Sequence, residues 1–338
     1  MFTYKTKAAA AVALAATAAL TFAGAADAGV VKPNVANPGD VQLISTDGTA
    51  SLVHTIRHAD GSWQQFGRLG GYTGVTGLTS TLVNGEENAF FQYAGANGPQ
   101  LAHFVRHVDG SWDLNGSVPA VPAGTEADGL ATANKNGQIE LVKLTGGNVQ
   151  LTTLRSDGTW SPWSTVPTGG KSVRSVAAAS DFNGELRVVE LAADGSSVGA
   201  YQQYTDGSWS DGTWANATPQ PGYTATEVAA AYTFGALQIG VAEHNQYYGT
   251  VYHALLRDNG SWDRFWDVQQ VAGFGGEVLH LAMTYSEGSM QLAFSTTDGA
   301  LYHTIRYSGD GSWQPVGNVE GAAGNVNAGQ LTLAGYNF

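Results

Sequence analysis

The chain has no cysteine, few basic residues and, after residue 28, no hydrophobic run long enough to cross a bilayer. The absence of cysteine excludes disulfide bonds, thiolate nucleophiles and cysteine-based metal centres. The 338 residues include 15 lysines and arginines against 28 aspartates and glutamates, which gives a formal charge of −13. Nucleic acid is therefore not an expected partner, because phosphate binding requires a basic surface. Membrane insertion of the mature chain is not expected either.

The N-terminus has the three parts of a secretory signal peptide. Lys5 and Lys7 precede an apolar, alanine-rich run, and Ala26-Asp27-Ala28 supplies a small-x-small cleavage sequence. We therefore predict that residues 1–28 are a signal peptide and that the protein is secreted. A membrane anchor is the alternative, but a run made mostly of alanine is weakly hydrophobic for a spanning helix. Residues 29–38 are predicted to be a linker.

A tetrapeptide of Asp or Asn, Gly, Ser or Thr, and Trp recurs six times. Its tryptophans follow one another at intervals of 49, 48, 49, 53 and 51 residues. Each full period contains four alternating runs separated by turn residues such as Asp-Gly, which is typical of β-hairpins. Four-stranded units repeated about an axis form a β-propeller. The repeated tryptophans are Trp63, Trp112, Trp160, Trp209, Trp262 and Trp313.

The two ends of the repeat region complement one another. The first unit has only three strands, whereas the chain ends with a single strand over Gln330–Tyr336. This last strand is expected to complete the first blade and thereby to remove the open edge of the ring. The predicted fold is all-β: a six-bladed β-propeller of four-stranded antiparallel blades over residues 39–338, closed in a 3+1 arrangement.

Two further columns of residues recur on the third strand of the units. Inside a blade, such a histidine would bond a neighbouring turn and such an arginine would pair with the turn aspartate. In an exposed cleft, the columns would form the walls of repeated ligand sites, and they are the walls that we prefer for such sites. The first column is His54, His103, Thr152, Tyr201, His253 and His303, and the second is Arg57, Arg106, Arg155, Tyr204, Arg257 and Arg306.

No metal or cofactor is expected at these columns, because the copies lie on different blades and cannot converge on one ion. The repeated tryptophans have two interpretations as well. They either pack against the next blade or provide exposed platforms on which a sugar ring stacks.

One rim of the propeller is predicted to bind carbohydrate. The turns between second and third strands share this rim with the connections between blades, and both carry acidic, amide and tyrosine side chains. Acidic and amide groups bind sugar hydroxyls, and aromatic faces stack on the C–H side of a sugar ring. The candidate site residues are His54, Arg57, Tyr72, His103, Arg106, Tyr223, Tyr252, His253, Asp298, Tyr302, His303 and Arg306.

The segment 298–313 reads Asp-Gly-Ala-Leu-Tyr-His-Thr-Ile-Arg and ends in Asp-Gly-Ser-Trp. It resembles the repeats of secreted bacterial β-propeller lectins of the tectonin and fucose-binding type. It is also similar to lectin modules that actinobacteria attach to secreted toxin assemblies. The resemblance implies a secreted lectin with several equivalent weak sites that act by avidity on cell-surface or extracellular glycans, and a secreted assembly as a further partner.

Two other classes of function remain open. Six-bladed propellers include sialidase-like glycosidases, but a glycosidase needs one unique pair of carboxylates in one pocket, and regular repeats supply six similar sites. We therefore expect a protein without enzymatic activity, whose scattered glutamates are solvated or line the channel. A protein-docking scaffold is the other alternative, because fold does not imply function. The glutamates considered are Glu86, Glu87, Glu140, Glu190 and Glu243.

Overall fold

The computed structural model describes residues 37–335 apart from 49–50, 71, 73, 96–97, 120–126, 219, 234 and 246–247. The predicted signal peptide and all but two residues of the predicted linker lie outside the described residues. Within them, no helix is long and apolar enough to cross a membrane.

Six four-stranded antiparallel sheets form the fold. Blade 1 contains β1 (Val41–Thr46), β2 (Leu52–Arg57) and β3 (Gly67–Arg68). Blade 2 contains β4 (Gly77–Val83), β5 (Glu86–Gly95), β6 (Gly98–Arg106) and β7 (Trp112–Ser117). Blade 3 contains β8 (Ala127–Lys135), β9 (Gln138–Thr145), β10 (Asn148–Leu154) and β11 (Ser164–Thr165).

The second half of the chain repeats the pattern and adds two short helices. Blade 4 contains β12 (Val173–Ser180), β13 (Leu186–Ala192), β14 (Ser197–Gln203) and β15 (Thr213–Asn216). Blade 5 contains β16 (Thr224–Thr233), β17 (Ala236–His244), β18 (Gly249–Arg257) and β19 (Trp266–Asp267), followed by α1 (Val268–Ala272). Blade 6 contains β20 (Val278–Ser286), β21 (Ser289–Thr296), β22 (Leu301–Tyr307) and β23 (Gly317–Asn318), followed by α2 (Glu320–Ala323) and β24 (Leu331–Gly335).

The last strand closes the ring. β24 pairs antiparallel with β1, with Leu333 opposite Leu43, and it forms the innermost strand of blade 1. All five residues of β24 are buried. The six-bladed fold and its 3+1 closure, both predicted from the repeats, are confirmed.

Short hairpins join the first strand of a blade to the second. In blades 2 and 3 these turns are Asn84-Gly85 and Asn136-Gly137, and all four residues have φ between 53° and 83°. Two consecutive left-handed residues make the type I′ turn, whose twist matches that of the strands it joins. Blade 4 has a longer loop, in which residues 181–185 separate β12 from β13. The first-to-second and third-to-fourth turns lie on one edge of the ring, which we call the lower rim. The opposite edge, which holds the second-to-third turns and the connections between blades, is the upper rim.

Each interface between blades has its own hydrophobic cluster, and each cluster includes the repeated tryptophan of the later blade. At the blade 4/5 interface, for example, Trp262 packs against a cluster that includes Val189 and Ile239. All six repeated tryptophans are partly buried. Their role is therefore the packing of one blade against the next, as the structural alternative predicts.

Candidate functional site

The histidine column lies inside the propeller. The four histidine side chains are buried, and each Nε2 is within 3.0 Å of an amide oxygen on the neighbouring second strand of its own blade. Each ring also meets the repeated tryptophan of the following blade edge-on, at centroid distances of 5.3 to 6.4 Å. The histidine and amide pairs are His54 with Gln42, His103 with Asn88, His253 with Gln238, and His303 with Gln291.

A histidine and an arginine of one blade do not form one wall. In blades 1, 2 and 6 the two residues are three positions apart, and successive side chains of a strand point to opposite faces. The arginine of one blade therefore approaches the histidine of the preceding blade. Arg306 donates to Gln238 at 3.5 Å, and its charge acts on His253. Arg57 acts on His303, and Arg106 on His54, in the same way. These groups link blades 5, 6, 1 and 2.

The predicted columns are wrong in the middle of the chain. Arg57, Arg106 and Arg306 pair with the repeated tryptophan of their own blades, whereas Leu154, Gln203 and Leu256 occupy that position in blades 3, 4 and 5. Leu151 and Ala200 belong to the hydrophobic clusters shared with the following blade, which is where the histidines of the other blades point. They therefore occupy the histidine position in blades 3 and 4, in place of the predicted Thr152 and Tyr201. Arg257 is four residues after His253, is exposed, and pairs with Asp263 at 2.6 Å.

Burial keeps the histidine column neutral. It lowers the pKa of His253 and of His303 to about 3, with Arg306 and Arg57 respectively adding to the effect. It also lowers the pKa of His103 to about 4. The twelve candidate residues thus fall into two groups. The histidines and arginines have partners between the blades, and their assignment to sugar contact stays a prediction. The tyrosines and Asp298 form the second group.

Replacing His303 by alanine is expected to destabilise the ring. The variant loses the bond to Gln291 and the edge contact with Trp63, at a cost of about 2–4 kcal/mol. Because the folded-state pKa of His303 is about 3 and the unfolded value is about 6.5, only the unfolded chain binds this proton between those pH values. Wild-type stability should therefore fall as the pH drops below about 6.5, and the His303→Ala variant should lose less over the same range.

Urea unfolding at pH 7 and pH 5 measures both effects of this substitution. The control is His107→Ala, since His107 is partly exposed and its bond to Glu86 lies at the surface. That change should cost under about 1 kcal/mol. An unchanged unfolding free energy in His303→Ala would contradict the proposed role of the buried column.

The other candidate residues lie nearer the upper rim, where aromatic rings stand between blades. At the blade 4/5 interface, Tyr252 of β18 lies opposite Asp267 of the neighbouring strand β19. The partly exposed Tyr223 lies in the connection between blades 4 and 5. Burial raises the pKa of Tyr252 to about 12, with contributions from Asp267, from Glu243 and from Tyr223, which lie near enough to act on its hydroxyl group. Sequence analysis named Tyr223 and Tyr252 as candidates, but it did not associate either of them with Asp267 or Glu243.

A second cleft lies at the blade 3/4 interface. The partly exposed Trp214 donates through Nε1 to the Tyr201 hydroxyl at 3.2 Å. Lys171, from the connection before blade 4, lies 4.5 Å from the centroid of the Trp214 ring and donates to Ser197 Oγ at 3.1 Å. A Cβ atom at Gly199 would lie 2.4 Å from the indole, so the glycine makes room for Trp214. Sequence analysis did not select Trp214 or Lys171. The only signal for Trp214 was an aromatic residue in the fourth strand of blade 4, one of the two blades whose column lacks a histidine.

Two more aromatic pairs occupy the same rim. Tyr72 meets Tyr93 edge-on at 5.1 Å, and Tyr93 donates to Gln100 at 2.7 Å. Tyr302 and Phe274 lie 4.6 Å apart between blades 5 and 6.

Asp298 is exposed in the turn after β21, and a hydrogen bond from Thr296 is the main reason that its pKa is lowered.

The glutamates are placed differently from expectation. Glu86 is partly exposed and binds His107, but the other four are buried inside the blades, so they are neither solvated nor lining the channel. Glu190 and Glu243 are fully buried, and no donor among the described residues bonds their carboxyl oxygens. Burial raises the pKa of each to about 8, with Asp267 adding to the effect at Glu243. Alternation of apolar and polar residues did not reveal them, because a strand between two blades is buried on both faces.

The fold and these clefts define a class: a six-bladed β-propeller with aromatic and polar side chains between blades on one rim. Among the described residues, no group of three or more His, Asp or Glu side chains is placed to hold a metal ion. No protein-family model matches the chain, and no curated protein matches it.

Solved structures do match it. A lectin of the fungus Aleuria aurantia, described as a six-bladed β-propeller with a novel fucose recognition mode, has a TM-score of 0.60 at 16% identity, over 84% of this chain and 92% of that chain. A mutant of the same lectin in complex with alpha-methyl-L-fucoside has a TM-score of 0.59 at 16% identity, over 84% and 91%. The protein AofleA of Arthrobotrys oligospora has a TM-score of 0.55 at 10% identity, over 89% and 90%. At these identities the likeness concerns the fold alone.

Proposed function

We propose that this protein is a secreted carbohydrate-binding protein without enzymatic activity, which binds glycans through several clefts on its upper rim. The observation that carries the proposal is the recurrence there of a partly exposed aromatic ring beside polar side chains. Tyr223 with Asp267, Trp214 with Lys171, and Tyr93 with Gln100 stand at three different interfaces between blades.

The chemistry of these clefts suits a sugar. An aromatic face stacks on the C–H side of a pyranose ring, while carboxylate, ammonium and amide groups bond its hydroxyls. We expect each site to be weak on its own, and several sites on one rigid ring raise the affinity for a surface that carries many copies of the glycan. The fucose complex of the Aleuria aurantia lectin, a propeller of the same fold, supports the proposal by analogy.

The finer parts of the proposal rest on the sequence. The predicted signal peptide supports secretion, and the resemblance to lectin modules of secreted toxin assemblies supports a role as a targeting subunit. The same resemblance supports cell-surface or extracellular glycans as partners. Secretion is tested by expressing the full chain in its host and determining the N-terminus of the exported protein, which we expect at Gly29.

A glycan array probed with residues 29–338 tests the binding function. We expect saturable binding to one sugar class, and loss of Trp214 or Tyr223 should weaken the affected site by at least about tenfold. The matched control is Tyr204→Ala, because Tyr204 is 39% exposed but follows β14 at the lower rim. It should bind as the wild type does.

Two results would overturn the proposal. A folded wild-type chain that binds no glycan would favour the protein-docking alternative, for which blade 5 and the connection after it offer exposed side chains at Tyr248, Trp266 and Val271. Release of product from an oligosaccharide would instead identify a hydrolase. Equal losses in Tyr204→Ala and Tyr223→Ala would show that the upper rim is not the binding face.

A further inference from the structure

The upper mouth of the central axis holds a cavity that neither the predicted columns nor the clefts between blades use. Its volume is about 170 Å³, smaller than the about 300–1,000 Å³ of sites for drug-sized ligands. All six blades contribute to its wall, through the first residues of their innermost strands or the residues just before them. Because the blades differ in sequence at this level, the cavity occurs once in the molecule.

The floor of the cavity is apolar. Four buried side chains line both this cavity and the narrow channel between the innermost strands. They are Leu78, Leu130, Val176 and Leu331. A ligand in the mouth therefore contacts hydrocarbon on its inner side, and the exclusion of water there strengthens its electrostatic contacts with the wall.

The wall of the cavity carries one arginine without a counter-ion. Arg174 is half-buried, and none of the described residues forms an ion pair or a hydrogen bond with its guanidinium group. Arg187 and Arg257, by contrast, pair with aspartates at 3.1 Å and 2.6 Å. Withdrawing a charge from water is costly unless the charge is paired. An anionic ligand would supply the partner that the chain does not give to Arg174.

A β-bulge gives Arg174 its position. The pairing of β12 with β13 shifts register between Val173 and Ser175, which leaves Arg174 as the extra residue of the first strand. A bulge bends its strand and re-aims a side chain, and bulges are frequent beside binding sites. The same shift occurs at Thr226 in blade 5, which also lines the cavity but carries no charge.

The acidic group of the lining is already compensated. Among the described residues that line the cavity, Glu227 is the only carboxylate, and it accepts a hydrogen bond from His280 Nδ1 of the next blade at 2.9 Å. Burial lowers the pKa of His280, but the bond and the charge of Glu227 outweigh it, so the pKa is raised overall. Glu227 therefore pairs with the imidazole and not with Arg174.

Gln330 adds an unpartnered acceptor to the same lining. Its Nε2 donates to the Thr76 carbonyl at 2.8 Å. Its Oε1 is buried and accepts no hydrogen bond from the described residues. An amide oxygen is complemented by a hydroxyl donor. The cavity thus matches a small ligand that carries both a negative charge and hydroxyl groups.

We propose that this axial mouth binds an acidic monosaccharide, a sugar ring that carries a carboxylate, either free or at the end of a glycan. Arg174 pairs with the carboxylate, Gln330 Oε1 accepts from a ring hydroxyl, and the apolar floor contacts the C–H face of the ring. The site goes beyond the proposed function, because it occurs once, lies on the axis and selects an anionic sugar.

Calorimetric titration of residues 29–338 tests the proposal. The probes are D-glucuronate, D-galacturonate and N-acetylneuraminate, with their methyl esters as uncharged counterparts and acetate as a carboxylate without a ring. We expect at least one acidic sugar to bind saturably, and at least about tenfold more tightly than its ester or acetate. Arg174→Gln should weaken this binding by at least about tenfold, and Arg174→Lys, which keeps the charge, should retain part of it.

NMR of the chain labelled with ¹⁵N-arginine locates the bound sugar. The side-chain signal of Arg174 is the one that disappears in Arg174→Lys, and the acidic sugar that binds should shift it in the wild type. Sialyllactose distinguishes the two sources of the ligand when N-acetylneuraminate binds. Equal affinity for both supports the end of a glycan as the ligand, and binding of the monosaccharide alone supports a free sugar acid.

The matched control is Arg155→Gln, which removes the same charge from an exposed residue outside the cavity and should bind as the wild type does. The proposal is overturned if no acidic sugar binds the folded wild-type chain or if the esters bind equally well. It is also overturned if the Arg174 signal does not shift, or if Trp214→Ala loses the binding while Arg174→Gln keeps it. A glycan array on which the upper-rim clefts fail would not change these outcomes, because Arg174 belongs to none of those clefts.

Discussion

Deletion of residues 331–338 is expected to abolish cooperative folding of the propeller. The deletion removes β24, the innermost strand of blade 1, whose five residues are all buried. Leu331 and Leu333 each contribute about 1.5–3 kcal/mol through burial, and the lost ladder leaves β1 with an unpaired edge. Contacts to both neighbouring blades are lost as well, since Thr332 accepts from Ser80 N–H and Gly335 N–H donates to Thr284. The sum is about 5–10 kcal/mol, comparable with the whole stability of a typical domain.

Circular dichroism and urea unfolding measure this loss, and complementation in trans provides the control. A synthetic peptide of residues 329–338 should restore a cooperative transition when added to the truncated chain, because the vacant position on β1 offers an unpaired strand edge. A peptide of the same composition in scrambled order should not. A truncated chain that unfolds cooperatively at the wild-type urea concentration would show that the ring does not depend on this strand.

Replacing Glu190 by glutamine is expected to stabilise the protein at alkaline pH and to leave it unchanged at pH 5. The Glu190 side chain is fully buried, and burial raises its pKa to about 8. Between the unfolded pKa near 4.5 and this value, the folded chain holds a proton that the unfolded chain releases, so wild-type stability falls as the pH rises through that window. At pH 9 the charged carboxylate should cost about 2–4 kcal/mol, which the neutral amide avoids.

Melting temperatures from pH 5 to pH 9 test this expectation. The two curves should coincide near pH 5 and separate by at least about 5 °C at pH 9. Asp211→Asn is the matched control, because Asp211 is an exposed acid and its curve should follow that of the wild type. Parallel curves for Glu190→Gln and the wild type would mean that Glu190 is ionised in the folded protein with little cost.

The repeats alone were sufficient to predict the number of blades, their four strands and the closing strand. These features depend on local turn chemistry and on the count of periods, both of which can be read along the chain. The histidine and arginine columns show where such reading stops. The spacing of three residues between His54 and Arg57 already implied opposite faces of the strand. The spacing did not reveal which charged residue acts on His54. That residue is Arg106, which belongs to the next blade, whose first strand starts 20 residues after Arg57.

Blades 3 and 4 show a second limit. The predicted histidine column includes Thr152 and Tyr201, but the pairing of strands places Leu151 and Ala200 there. The repeated tryptophan follows its bridged partner by six residues in blades 1 to 5 and by seven in blade 6, and a shift of one residue moves a side chain to the other face of its strand. Matching residue types alone obscured this register, and the strand pairings establish it.

By itself, the sequence determined that this chain is a ring of six four-stranded blades closed by its last strand, because a repeated hairpin unit has few other ways to bury its faces. Only the tertiary structure decided which side chains meet between blades. It placed the four column histidines and four of the glutamates in the interior, and it gathered Tyr223, Tyr252 and Asp267 at one rim. The physical reason is that each of these groupings joins residues from different strands or blades, and their contacts depend on how those elements pack.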